Sequence, residues 1–293
     1  MSTSQWICLI MLSVLWGGSF FSIGIAVPHI PPLTLVLSRV ALAALCLLPL
    51  VLILKLRLPA SLAEWRKFAV MAILSNIIPF SMIALGQTQI SSGLASVINA
   101  TTPFWSVLIV HMLTIDDKLT KNKTVGVVLG VIGVAVLMGP DAILGATSSI
   151  FGMACIIAAT ISYGFSTWWS RNFTTTHPLV SAACQLTCAT LMLFPIALTV
   201  DQSWRLPWPP AHVVWAVASL AVLSTAVANI IFFYIISVSG PTKAVLVTLL
   251  VPVSGIFLGT LFLEEKLAPL HIAGTLIIMI ALIIFNRTPR QAP

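Results

Sequence analysis

The sequence predicts an all-α polytopic membrane protein of ten transmembrane helices, arranged as two inverted five-helix repeats around a central cavity. Three observations carry that expectation. The first is composition: of 293 residues 59% are apolar and 7% charged, where a soluble domain carries about a quarter charged residues, and the mean hydropathy is +1.11. The second is run length, since a hydrocarbon core of about 30 Å takes about 20 residues of helix and the apolar residues fall in runs of that order. The third is a duplication. Ser92 to Met138 reads SGLASVINATTPFWSVLIVHMLTIDDKLTKNKTVGVVLGVIGVAVLM, and Ser239 to Phe285 reads SGPTKAVLVTLLVPVSGIFLGTLFLEEKLAPLHIAGTLIIMIALIIF. With one residue of slack, Ala95 meets Ala244 and Pro103 meets Pro252. The Asp116-Asp117-Lys118-Leu119 turn meets Glu264-Glu265-Lys266-Leu267, and Gly126 meets Gly274.

Taken in order, the runs lie at about 5–27, 33–54, 67–88, 92–114, 124–140, 150–170, 179–200, 211–238, 241–263 and 267–286, divided by polar or Pro/Gly punctuation. The first follows MSTSQW, which lacks a basic n-region, so it reads as a helix and not as a cleaved signal. Pro32 stands just before the second and Pro178 just before the seventh. Trp16-Gly17-x-Ser19 in the first run pairs with Tyr163-Gly164-x-Ser166 in the sixth, Arg39 with Gln185, and Pro49 with Pro195. Residues 1–145 and 146–293 are therefore the two repeats. The fifth run carries Gly126, Gly130 and Gly133 at helical spacing, a pattern that lets helix backbones approach closely. The longest polar connection, Asp201 to Pro210, is too short for an appended catalytic domain.

Basic residues orient the chain. Lys55, Arg57, Arg66, Lys67, Lys118, Lys121, Lys123, Arg171, Lys243, Arg287 and Arg290 fall on the side of the termini, against Arg205 and Lys266 opposite. By the positive-inside rule both termini are cytoplasmic. The net charge of +7 is thus an orientation signal, not a nucleic-acid footprint. Because each half has an odd number of runs, the second half enters the membrane upside down. Two halves related in this way form inward-open and outward-open states around a midplane site, the architecture of many secondary transporters.

Residues inside the runs nominate the site. Pro103 and Pro252 each remove a backbone donor and free a carbonyl, that of Asn99 and of Thr248, and are read as kinks that wall a cavity or serve packing. Trp16 and Tyr163 are too deep for an interfacial belt, and Phe80 and Trp105 flank the prolines of the third and fourth runs. Trp6, Trp65, Trp168, Trp169, Trp204, Trp208 and Trp215 sit at run boundaries as belt anchors. Ser19, Asn76, Asn99, Asn229 and Lys243 complete the substrate-binding candidates, since polar groups in a bilayer face an interior by default. Arg39, near the outer boundary, reads either as a ligand or as a side chain snorkelling to headgroups, and the same alternative holds for Lys243.

Absences narrow the chemistry. The acidic residues all fall in turns or at their edges, so no buried carboxylate is offered as a proton or sodium carrier. The five cysteines, Cys8, Cys46, Cys155, Cys184 and Cys188, lack the clustering of a metal site, so no metal or cofactor is expected. No HExxH, GxSxG or intramembrane aspartate pair suggests an enzyme.

Ten runs in two inverted repeats, the Trp16-Gly17-x-Ser19 element, Arg39 after Pro32, and the proline, acidic pair and lysine of the fourth and ninth runs resemble the EamA branch of the drug/metabolite transporter superfamily. The similarity covers essentially the whole chain and is greatest to YddG-type exporters of aromatic amino acids. It implies a basket of helices with runs one, three, four, six, eight and nine near the substrate, and runs five and ten outside. It also implies export from the cytoplasm across a bacterial inner membrane, with Trp16, Pro103, Pro252 and Lys243 at the family's functional positions. Tyr163 departs from the tryptophan that many members carry there.

The expected function is secondary export of aromatic or other apolar amino acids by alternating access, without obligatory ion coupling. The expected partners are a small-molecule substrate and the bilayer. A monomer is the expected unit, with a dimer left open. The alternatives are a lipophilic cation or drug exporter and a non-transporting structural membrane protein.

Overall fold

The computed structural model describes residues 3–115, 119–144, 150–262 and 269–286, and among them the only regular structure is helical. The helices are α1 (Thr3–Ala26), α2 (Pro32–Ile53), α3 (Leu62–Gly86), α4 (Ser92–Asn99), α5 (Thr102–Leu113) and α6 (Lys121–Leu144) in the first half of the chain. The second half holds α7 (Ile150–Trp169), α8 (Pro178–Asp201), α9 (Ala211–Ser239), α10 (Pro241–Ala244), α11 (Val247–Phe262) and α12 (Pro269–Asn286). Among the described residues seven stretches are long and apolar enough to cross a membrane: α1, α2, α3, α4 with α5, α7 with its trailing turn, α8 and α9. The Asp116-Asp117-Lys118 and Glu264-Glu265-Lys266-Leu267 turns, with Arg287 and Arg290, lie outside the described residues.

Local chemistry sets the helix ends. Pro32, Pro178 and Pro241 open α2, α8 and α10, where a missing N–H costs nothing. Ser61 and Glu64 close a capping box at the start of α3, satisfying two orphan donors reciprocally. The start of α2 has no cap of its own; Asp201 of α8 supplies one, its Oδ2 accepting from Thr34 N at 2.7 Å and Thr34 Oγ1 at 2.9 Å.

Helix pairing follows the sequence duplication. Helix α2 lies along α8 and α6 along α12; α1 packs on α11 and α9 as α7 packs on α5 and α3; α3 meets α8 as α9 meets α2. Every one of these pairings recurs when the halves are exchanged. Glycines permit the closest crossings. A Cβ on Gly126 would stand 2.9 Å from the Ala281 carbonyl oxygen of α12, and one on Gly86 2.9 Å from that of Gly152 in α7, so the fifth-run glycines pack helices as expected. Outward faces stay apolar, with Leu45, Ile53 and Leu191 exposed, as a helix apolar all round requires of a lipid-facing surface. Trp204, Trp208 and Trp215 are exposed near helix ends. Cys155, Cys184 and Cys188 are buried, whereas Cys46 is exposed.

The proline reading needs correction. Pro103 does not kink a continuous helix: the chain breaks between α4 and α5, and Pro103 lies in the first turn of α5. The Asn99 carbonyl is not left free, because Thr102 Oγ1 donates to it at 2.6 Å. Pro252 does lie inside α11, but the break in that run comes earlier, between α10 and α11 at Val245–Leu246. The two prolines match in sequence and the two breaks do not.

Candidate functional site

The central cavity is lined from both halves of the chain. Helix α1 contributes Trp16, Ser19 and Phe20, and α7 contributes Tyr163, Ser166 and Thr167. Helix α3 adds Ser75 and Phe80 and α9 adds Asn229 and Phe232. Asn99 and Thr102 reach it across the α4–α5 break, and Val245, Thr248 and Val251 across the break that precedes α11. Helix α2 gives one side chain, Arg39. Aromatic and aliphatic side chains make up half of the lining residues, with Trp16 and Phe232 in contact at a centroid distance of 5.4 Å, and the other half are polar groups that converge on the same space, a combination suited to a small-molecule site.

Two π-helical turns flank this wall, Ile73–Ile77 in α3, which gives it Ser75, and Val222–Val227 in α9, which holds Arg39. Widening the helix by one residue per turn releases backbone groups for other partners, and such turns recur at functional sites. Ser162 Oγ donates to the Leu74 carbonyl at 2.8 Å, and Ser224 Oγ donates to the Leu15 carbonyl at 2.6 Å. Each bond joins a π turn to the opening helix of the other half. The turns share the segments Ala72-Ile-Leu-Ser-Asn76 and Ala221-Val-Leu-Ser-Thr225, a repeat that would have located both.

Arg39 is the charged residue of the site. It is 4% exposed, and its guanidinium lies over the Phe80 ring, 3.6 Å from the centroid. Nε donates to Thr225 Oγ1 at 2.6 Å, and one terminal nitrogen donates to the Ser224 carbonyl at 3.5 Å. Thr225 Oγ1 in turn donates to the Leu220 carbonyl at 2.7 Å, and Asn229 Nδ2 to the Thr225 carbonyl at 2.8 Å. Among the described residues no carboxylate lies against Arg39. Snorkelling to headgroups is thereby excluded: the side chain points inward.

Of the sequence candidates, Trp16, Ser19, Phe80, Asn99, Tyr163 and Asn229 come together on the cavity wall. Asn76 does not line it; it sits in the α3 π turn, 0% exposed, and neither amide atom has a partner. Trp105 lines a second, largely apolar recess with Phe104, Val97, Val131 and Ile157. Lys243 is exposed on α10 and does not reach the cavity. Pro103 and Pro252 are buried next to the lining residues Thr102 and Val251 without lining it themselves. Among the lining residues, sequence reasoning left out Phe20, Ser75, Thr102 and Phe232, named Thr248 only for its carbonyl, and gave Arg39 no committed place.

A polytopic helical bundle enclosing an aromatic cavity with one buried cation defines a membrane carrier of small molecules. The chain belongs to the EamA-like transporter family, whose model matches residues 4–139 and again 150–287. It is accordingly a membrane transporter of small metabolites and not an enzyme. Similar proteins include the uncharacterized transporter YoaV of Bacillus subtilis (strain 168), 24% identical over 92% of either chain. The uncharacterized inner membrane transporter YedA of Escherichia coli (strain K12) is 25% identical over 94% of this chain and 88% of its own. A probable amino-acid metabolite efflux pump of the same strain is 25% identical over 97% and 95%. One solved crystal structure, 15% identical, aligns with a TM-score of 0.74 over 97% of this chain and 98% of that one, a likeness of fold alone.

Proposed function

We propose that the protein is a secondary exporter of aromatic or other apolar amino acids, working by alternating access in a bacterial inner membrane as the YddG-type exporters it resembles do. Its ten spans form two inverted repeats, residues 1–145 and 146–293, with both termini cytoplasmic and a monomer as the working unit. The observation that carries the reading is that the cavity wall is built in matched pairs, Trp16 with Tyr163 and Ser19 with Ser166. Equivalent walls from two halves give two states of similar energy. Substrate contacts fall to Trp16, Ser19, Phe80, Asn99, Tyr163 and Asn229. Asn76, Trp105 and Lys243 act at one remove, and the chain breaks at Ala100–Thr101 and Val245–Leu246, each ahead of its proline (Pro103 and Pro252), are the places where the wall moves. The naming of a similar protein as a probable amino-acid metabolite efflux pump supports the substrate class. Export of lipophilic cations is disfavoured by the buried guanidinium and the lack of a carboxylate among the described cavity residues.

Counterflow in proteoliposomes tests this. Vesicles containing only this protein and loaded with phenylalanine, tryptophan or leucine take up labelled substrate faster than empty ones, and an imposed pH or sodium gradient drives no accumulation. Equal uptake by protein-free vesicles would end the reading.

A further inference from the structure

We infer that Arg39, held between the Phe80 ring and Thr225, is the subsite for the carboxylate of the transported molecule, so that the ligand class is an aromatic or aliphatic monocarboxylate whose amino group is dispensable. The inference rests on the central cavity being the transport cavity. Taking a guanidinium out of water costs several kcal/mol unless an anion or a full set of acceptors compensates. Among the described residues Arg39 has neither. Of the five N–H donors of its fork, one bonds Thr225 Oγ1 at 2.6 Å and one reaches the Ser224 carbonyl at 3.5 Å. The others remain for whatever occupies the cavity that Arg39 lines.

The fit is to a carboxylate for a geometric reason. A planar fork pairs with two oxygens in parallel, and charge-assisted pairs of that kind are roughly twice as strong as neutral hydrogen bonds. The fork is also preorganised. The Phe80 face fixes its plane at 3.6 Å, and the Thr225 hydroxyl is itself fixed by the Leu220 carbonyl at 2.7 Å. The matching residue of the other half, Gln185, is neutral and 0% exposed, so the charge stands on one side only.

Among the described residues the cavity has no charged counterpart for an ammonium. Its described lining offers Asn99, Asn229, serines, threonines and aromatic faces, and no carboxylate. A monoanion neutralises Arg39, while a zwitterion leaves a net positive charge in a low-dielectric site and an amine doubles it. Carboxylate is therefore obligatory and ammonium optional. Trp16, Phe20 and Phe232 receive the apolar part of the ligand.

The test is equilibrium binding to the full-length purified protein at neutral pH, by calorimetry, with two series of probes. The first is phenylalanine, 3-phenylpropionate and phenethylamine; the second is leucine, 4-methylpentanoate and isoamylamine. The acid of at least one series binds at least as well as its amino acid, and the amine about tenfold or more weaker. Arg39→Gln abolishes that preference, lowering acid affinity by about tenfold or more while amine affinity holds or rises as the repelling charge goes, and Arg39→Lys falls between. Amine binding equal to acid binding, acid affinity unchanged in Arg39→Gln, or no acid binding in either series overturns the subsite. Should Arg39→Gln fail to fold, the wild-type series still decides. Arg39-dependent acid binding without phenylalanine or leucine counterflow upholds the subsite and removes the amino acid reading instead.

Discussion

Arg39 and Gln185 occupy matching positions in the two halves of the sequence, yet both side chains converge on one turn of α9. Arg39 Nε donates to Thr225 Oγ1 at 2.6 Å, and Gln185 Nε2 donates to Asn229 Oδ1 at 3.1 Å, whose Nδ2 returns to the Thr225 carbonyl at 2.8 Å. Helices α2 and α8 are thereby tied through α9, close to the cavity they help support. Near-symmetry in sequence has produced a single asymmetric polar network, with the charge at its cavity end.

Thr225 is the keystone of that network and is 0% exposed. Thr225→Val keeps the shape but leaves the Arg39 Nε–H and the Leu220 carbonyl without this partner. Leaving buried groups unpaired costs about 1–3 kcal/mol each. The variant is expected to melt earlier in detergent and to bind carboxylates more weakly, because Arg39 is no longer held in plane. An unchanged melting temperature would mean that water or another group takes over both bonds.

How much of this was legible follows from what each signal encodes. Composition and duplication record burial in lipid and the repeated unit, so the helical class could be read directly. Six candidates that line the cavity were found because polar or aromatic residues deep in an apolar run are few. Direction was not legible. On a helix apolar on every face, the hydrophobic pattern does not say which way a lone polar side chain points, so Arg39 was weighed against headgroups. Trp105 failed for a related reason: nothing in an apolar run read as a kinked but continuous helix says that this ring lines the second recess. The π turns left a trace in the repeated Ala-x-Leu-Ser segment, which composition alone does not reveal.

Trp16 distinguishes a ligand wall from a packing residue. It lines the cavity and is half-buried, packed against the edge of the core at Phe232 rather than enclosed by it. Trp16→Ala is expected to lower substrate affinity about tenfold while costing much less than the roughly 3–5 kcal/mol of a fully buried aromatic truncation. Calorimetry and thermal melting on the same preparation separate the two. A large loss of stability with intact affinity would assign Trp16 to packing.

Topology has its own measurement. Single cysteines placed at Lys121 and Lys266 in a cysteine-free background are expected to react with an impermeant thiol reagent from opposite sides of the membrane, Lys121 from the cytoplasm. The basic bias of the connections sets that orientation. Labelling of both from one side would remove the inverted arrangement and, with it, the two-state argument drawn from paired walls.

Pro103 and Pro252 match in sequence but not in structure, and their replacement is expected to differ accordingly. Pro103 occupies the first turn of α5, where a backbone N–H has no intrahelical acceptor. Pro103→Ala therefore restores no bond, and the melting temperature is expected to stay level or fall slightly as the unfolded chain gains freedom. Pro252 lies within α11, five residues beyond its start at Val247. There an alanine N–H regains an acceptor at the Thr248 carbonyl and the ring no longer crowds it. Pro252→Ala is thus expected to be as stable as the parent or more so. Thr248 lines the cavity, so a straighter α11 also stiffens one wall, and transport by Pro252→Ala is expected to slow while affinity holds. Thermal melts and counterflow rates of the two variants, measured side by side, check the contrast. Equal behaviour of both would mean that the sequence match between the prolines outweighs the different positions of the breaks, and that a shared kink governs the cavity after all.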